Sequence, residues 1–175
     1  VQNWEGVFKG EGLLDMRGYQ QRLNQMRDSR ITPEQAESFF ELLQASKRPL
    51  IYAGGGVILG NAAEELSKFA ERYQIPVVTT LMGIGAIDTQ SPLCLHMLGM
   101  HGMAYANYAV EDCDFVFAVG ARFDDRVCAL PKQWAPGAKV AHIDIDLAEI
   151  NKVKRVDWHH VGDAAVALRD LMAHG

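Results

Sequence analysis

The hydropathy pattern changes character near residue 32. Before that point Trp4, Phe8, Leu13, Leu14 and Tyr19 are scattered among glycines and charges without a period. Such a stretch predicts an irregular connecting segment over residues 1–31 that drapes over a folded body. Thr32-Pro33-Glu34-Gln35 then carries the marks of a helix start: a threonine cap, proline at the first helical position and acceptors in the first turn. The apolar residues Phe39, Phe40, Leu42 and Leu43 come next, and Pro49 ends the run.

From Leu50 onward, short apolar runs alternate with amphipathic stretches. Leu50–Ala53, Pro76–Thr80, Phe115–Val119 and Lys139–Asp144 read as strands, and 159–161 as a weaker one. Between them Asn61 is expected to cap a helix that shows one face through Leu66, Phe69, Ala70 and Tyr73. A second helix is expected over 105–110, and a last one after Gly162-Asp163, with Val166, Leu168, Leu171 and Met172 on its apolar face. Nearly continuous apolar strands separated by helices imply a parallel sheet covered on both faces. The predicted class is therefore α/β: a three-layer, Rossmann-like parallel sheet of about six strands, occupying residues 32–175.

In open sheets of this kind ligands sit beyond the carboxyl ends of the strands. Glycines and polar residues recur at those ends: Gly54–Gly56, Thr80–Met82, Gly120–Arg122, Asp144-Ile145 and Gly162-Asp163. The triple glycine could let backbone N–H groups approach a phosphate, or could simply make a tight turn. It does not complete a dinucleotide fingerprint, because the third glycine stands at Gly60 and not at position 59. Asp144 offers a carboxylate to ribose hydroxyls, with Asp146 as the better cap for the helix beginning near Leu147. Asp163 can cap the last helix or meet a ligand. Arg122-Phe123-Asp124-Asp125-Arg126 places two arginines where they could grip phosphate or carboxylate, with two aspartates to hold them. His96-Met97-Leu98-Gly99-Met100-His101-Gly102 could wrap a flat aromatic ring, but it lacks the ligand spacing of a zinc site.

Composition narrows the classes. Hydrophobic residues at 49% and charged residues at 22% describe a globular chain. A formal net charge of −5 argues against a general nucleic-acid binder. Cys94, Cys113 and Cys128 are an odd number without metal-ligand spacing, so reduced thiols in a cytosol-like compartment are expected. No apolar run is long enough to span a bilayer, and the start resembles no signal peptide. It also lacks an initiator methionine, so a piece of a longer chain is expected.

Leu98-Gly99-Met100-His101-Gly102, Ala106–Val110, Gly120–Val127 and His142–Asp146 together resemble the central domain of the acetohydroxyacid (acetolactate) synthase family. Pro49–Gly56, Thr80–Gly83, Asn3-Trp4 and Gly18-Tyr19 match it too, so the resemblance covers essentially the whole chain. That family condenses two 2-oxoacids, with loss of carbon dioxide, in branched-chain amino-acid biosynthesis. It uses thiamine diphosphate with magnesium and also binds FAD, which takes no net redox part in the main reaction. The resemblance implies FAD contacts at Gly55, Thr80, Leu81, Leu98, Gly99, Met100 and His101. It implies others at Gly120, Ala121, Arg122, Phe123, Asp124, Asp144, Ile145, Asp163 and Ala164. Asp125 and Arg126 fall at the substrate channel, with Arg126 meeting a substrate carboxylate.

The resemblance places no catalytic residue and no metal ligand in this chain. The family's GlyAspGly pattern for thiamine is not present, the nearest approach being Gly162-Asp163-Ala164. After Arg126-Val127 the family commonly has a small residue, glycine and lysine, where Cys128-Ala129-Leu130 stands here. The implied partners are FAD, further domains of the same polypeptide, a homo-oligomer and a regulatory subunit, with neither nucleic acid nor membrane. The implied location is cytoplasmic in a bacterium and organellar in a eukaryote. A glyoxylate carboligase, a pyruvate oxidase and a free-standing nucleotide-binding module are the competing readings.

Overall fold

A computed structural model describes residues 21, 24–26 and 28–175. Most of the expected 1–31 connecting segment lies outside the described residues. Within it, Gln21 and residues 24–26 are helical rather than irregular.

Helix α1 (Pro33–Ala45) begins as its sequence predicts. The Thr32 hydroxyl accepts from the Gln35 N–H, and the Gln35 side chain accepts in return from the Thr32 N–H at 3.1 Å. This reciprocal box satisfies two otherwise unpaired donors at the helix start. The chain then runs through β1 (Pro49–Ala53), α2 (Gly55–Leu59), α3 (Ala63–Tyr73), β2 (Val77–Thr79) and β3 (Cys94–Met97). It continues with α4 (Ala104–Asp112), β4 (Phe115–Val119), β5 (Lys139–Asp144), β6 (Trp158–Val161) and α5 (Ala164–His174). The six strands form one sheet in the order β3-β2-β1-β4-β5-β6, and every pairing is parallel.

Alternation along the strands builds two cores. Ile51, Ala53, Phe115, Phe117, Val119, Ala141 and Ile143 face α1, α3 and α5. Leu50, Tyr52, Val116, Ala118 and Val140 face α4 and the long connection after β4. Because both faces are covered, β1 and β4 are nearly continuous apolar runs. Phe39 of α1 is the hub of the first core, with its ring 4.8 Å from Phe117 and 5.1 Å from Trp158. The three-layer α/β expectation therefore holds, including six strands and helices on both faces.

One local expectation is corrected, and two elements carry no signal in the sequence. Asn61 does not cap the helix after β1. The cap position is Ala62 with no side-chain bond, and Asn61 sits at φ +49°. Asparagine tolerates the left-handed region, and here it turns the chain between α2 and α3. Helix α2 itself is not signalled in the sequence, because five residues beginning Gly-Gly offer no period. Strand β3 is likewise unsignalled, as its residues are all half-buried at the sheet's edge. Among the described residues no helix is long and apolar enough to cross a membrane.

Candidate functional site at the carboxyl edge of the sheet

Strand order reverses between β1 and β4, so the turns leaving these strands part from one another at the sheet's centre. This is the position where open α/β sheets receive ligands. The two turns are built from glycine because their backbones touch. A Cβ on Gly54 would lie 2.1 Å from the Gly120 oxygen, and one on Gly56 would lie 2.6 Å from the Gly120 Cα. The Gly56 N–H donates to the Gly120 oxygen at 3.0 Å, and the Gly54 N–H to the Val119 oxygen at 2.9 Å. Two of the three glycines thus serve close packing, and their N–H groups are already engaged. The phosphate-cradle reading of the triple glycine is corrected to that extent.

The β2 turn is fixed by Thr80, whose hydroxyl accepts from the Gly83 N–H at 3.0 Å. Its two apolar residues, Leu81 and Met82, are exposed. After β3, Gly99 is clamped by Asn107 of α4: the Gly99 N–H donates to Oδ1 at 2.8 Å and Nδ2 donates to the Gly99 oxygen at 3.0 Å. Leu98 is buried beneath this loop, while Met100 is 73% exposed. The sequence marks Asn107 only as part of a motif. Its two-bond clamp needs the folded contact between α4 and the loop, so no local signal could have shown it.

After β4 the chain carries the Arg122–Arg126 cluster. Arg122 donates to Asp124 Oδ2 at 3.1 Å, while Asp124 Oδ1 accepts from the Arg126 N–H at 3.0 Å. The Arg126 N–H, the Asp125 side chain and the arginine charges hold the Asp124 carboxyl below the usual range. Asp124 therefore positions Arg122, as expected, and leaves the guanidinium largely exposed. For Asp125 and Arg126 no ion pair is present among the described residues; both are exposed. Ala121 and Phe123 turn inward. A cavity of about 330 Å³ opens beside this cluster, bounded by Arg122, Phe123, Asp124, Cys128, Glu149 and Lys152.

Asp144 ends β5, mostly buried. Burial opposes its ionisation, but the His142 ring beside it and the N–H groups of Asp146 and Ile145 outweigh that cost and hold its carboxyl low. Oδ1 accepts from the Asp146 N–H at 2.9 Å, so Asp144 is less free than expected. Oδ2 lies 3.6 Å from His142 Nε2, and neither ring nitrogen of that fully buried histidine has a hydrogen-bond partner. Asp146 takes the expected capping role, accepting from the Ala148 N–H at 2.9 Å. Asp163 caps α5 through the Val166 N–H at 3.0 Å, which engages one of its oxygens.

Every residue expected to contact a ligand thus lies at or just beyond a strand's carboxyl end. Their chemistry runs from Arg122 and Asp144 on one half of the edge to the exposed Leu81, Met82 and Met100 on the other. An extended ligand with an anionic middle, a ribose and a flat apolar ring fits that order. Among the described residues no group of three or more His, Cys, Asp or Glu side chains could hold a metal ion.

The fold and this edge define an open, doubly wound α/β domain built around a central switch point. A family model described as "Thiamine pyrophosphate enzyme, central domain" matches residues 36–171, and the chain belongs to that family. It is 52% identical over 141 residues to a probable acetolactate synthase large subunit of Methanocaldococcus jannaschii, covering 81% of this chain and 24% of that protein. It is 46% identical over 158 residues to an acetolactate synthase of Arthrospira platensis, covering 89% and 27% respectively. With a chloroplastic acetolactate synthase of Arabidopsis thaliana it shares 42% over 172 residues, covering 98% and 24%. The chain spans about a quarter of the length of these relatives.

Proposed function

We propose that this chain is the FAD-binding central domain of an acetolactate synthase large subunit, with catalysis belonging to the whole enzyme. That enzyme would condense pyruvate with pyruvate or 2-oxobutyrate, releasing carbon dioxide, in branched-chain amino-acid biosynthesis. The observation that carries the reading is the order of groups along the carboxyl edge. Arg122, fixed by Asp124, is set for a pyrophosphate, since a guanidinium binds phosphate bidentately. Asp144 has one oxygen left to accept from ribose hydroxyls. Leu81, Leu98, Gly99, Met100 and His101 would meet the flavin, and Gly55, Thr80, Ile145, Asp163 and Ala164 would border the rest. Gly120, Ala121 and Phe123 would approach through the turn's backbone.

When bound, FAD would supply an extended ligand that organises the domain, and it takes no net redox part in the main reaction. Asp125 and Arg126, exposed beyond this edge, would face the substrate channel, with Arg126 meeting a 2-oxoacid carboxylate. Thiamine diphosphate and Mg²⁺ would be held by domains outside this chain. Similarity to proteins named as large subunits fits a partner regulatory subunit, and homo-oligomerisation would complete the enzyme. A cytoplasmic location is proposed for a bacterial source, and an organellar one for a eukaryote.

Titrating FAD into the purified chain and into the full-length enzyme tests the reading. Flavin fluorescence should be quenched and the melting temperature should rise with FAD, as for any ligand that binds only the folded state. Absence of both effects in the full-length enzyme sinks it.

A further inference from the structure

A second cavity, of about 210 Å³, lies at the β2–β3 edge and is bordered by Thr79, Ile84, Cys94, His96, Met97 and His101. Two residue steps on β2, from Val77 to Thr79, face three on β3, from Cys94 to Met97, so one residue of β3 bulges out of the ladder. His96 takes the strain of that bulge at φ +60°. Bulges re-aim side chains. Here the result is His96 Nδ1 3.7 Å from Cys94 Sγ, with both side chains on the cavity. Thr79 is only 3% exposed and borders the same cavity, and its hydroxyl has no hydrogen-bond partner among the described residues. Thr79 Oγ1 is not among the fully buried atoms without a partner, so the hydroxyl is accessible from the cavity and can donate into it.

We propose that Cys94 is a covalent modification site, with His96 as its proton acceptor, for small α,β-unsaturated carbonyl compounds held in this cavity. The thiol proton passes to His96 Nδ1 as sulfur attacks the β-carbon and the carbon–sulfur bond forms. The alkene electron pair moves toward the carbonyl, whose oxygen accepts from the Thr79 hydroxyl. His96 then returns the proton to the α-carbon, so thiol and enone become one thioether without oxidant or reductant. Cavity walls from Ile84 and Met97 suit the apolar remainder of such a molecule.

The other two thiols provide an internal contrast. Cys113 and Cys128 are buried, and burial pushes the Cys113 thiol up to about 12 and Cys128 upward as well. Neither is set to react.

The test is N-ethylmaleimide added in small excess to the purified folded chain at pH 6.5, followed by intact mass and peptide mapping. One adduct is expected, at Cys94, forming faster than the same cysteine reacts in urea-unfolded chain. Cys94→Ser should take no adduct. His96→Gln should slow labelling about a hundredfold, the lower end of the range for a lost general base, and Thr79→Val should slow it by a smaller factor. Both variants should keep the wild-type melting curve, and His96→Asn provides a second variant if His96→Gln does not fold. Earlier labelling of Cys113 or Cys128, a folded rate no faster than the unfolded one, or an unchanged rate in folded His96 variants would overturn the proposal.

Discussion

Gly56 and Gly120 meet backbone to backbone at the centre of the sheet, and neither has room for a Cβ. A methyl on Gly120 would lie 2.6 Å from the Gly56 Cα, and Gly120 also holds φ +56°. The contact closes the gap between the turns leaving β1 and β4, so both turns open onto the same edge. Every other element of the candidate site is arranged around this junction.

Gly120→Ala should therefore destabilise the chain by about 2–4 kcal/mol, combining overpacking with a strained non-glycine conformation. Gly137→Ala is the control: a Cβ there meets nothing within 4 Å. Urea unfolding of the pair should show a large fall in midpoint for the first and little change for the second. Equal midpoints would mean that the junction yields easily.

Asp170 should make stability fall in acid. This residue of α5 is 4% exposed, accepts from Arg30 Nε at 2.8 Å and from the Ile31 N–H at 3.0 Å, and faces His160. The Arg30 hydrogen bonds hold its carboxyl below the usual range, so its contribution is complete above the unfolded value of about 3.9 and is lost as pH falls through the lower folded value. Burial holds His160 below its usual range too, which adds an earlier loss as pH falls from about 6.5. Asp170→Asn should cost about 1–3 kcal/mol at pH 7 and should flatten the step below pH 4. Urea midpoints at pH 7, 5 and 3.5 check both; an unchanged acid step in the variant would discount Asp170.

What each residue encodes locally decides how far the sequence could be read. Phe115–Val119 could be read directly, since a strand buried on both faces is mostly apolar, and Lys139–Asp144 could be read from Val140, Ala141 and Ile143 although it also buries His142 and Asp144. Cys94–Met97 could not, because an edge strand half-covered and bulged at His96 shows neither alternation nor a continuous run. Asn61 misleads for a physical reason: the short polar side chain that suits a cap also suits the left-handed region. The clustering of the candidate residues at one sheet edge was legible from polar residues recurring after apolar runs. The identity of each hydrogen-bond partner was not, since Asn107 to Gly99 and Gly56 to Gly120 are contacts between separate elements.

Arg122 and Arg126 should separate in their effects. Arg122 is tied to Asp124 at the edge where pyrophosphate is proposed, whereas Arg126 is exposed with no carboxylate partner among the described residues. Arg122→Ala should weaken FAD binding by about tenfold or more, the loss of one charged hydrogen bond of about 1.5–3 kcal/mol. Arg126→Ala should leave FAD affinity within about twofold, because surface changes away from a contact fall within about 0.5 kcal/mol. In the full-length enzyme it should raise KM for the 2-oxoacid. Fluorescence titration with FAD and steady-state kinetics check the two halves, and equal losses of FAD affinity in both variants would remove the proposed division.

Asn107 should matter to the flavin without touching it. Its side chain satisfies both backbone groups of Gly99, which itself holds φ +99° beside the exposed Met100. Asn107→Ala leaves the Gly99 N–H unpaired, at a cost of about 1–3 kcal/mol if that group stays buried, while the Gly99 oxygen keeps the Gly102 N–H at 2.9 Å. Asn107→Asp retains the acceptor and loses only the donor, so it should recover part of that loss. If the loop carries the flavin contact, FAD affinity should fall in the order wild type, Asn107→Asp, Asn107→Ala. Faster amide exchange at Gly99–His101 should accompany the fall, while the sheet stays protected. Loosened exchange with unchanged FAD affinity would show that Met100 and His101 do not bind the ring.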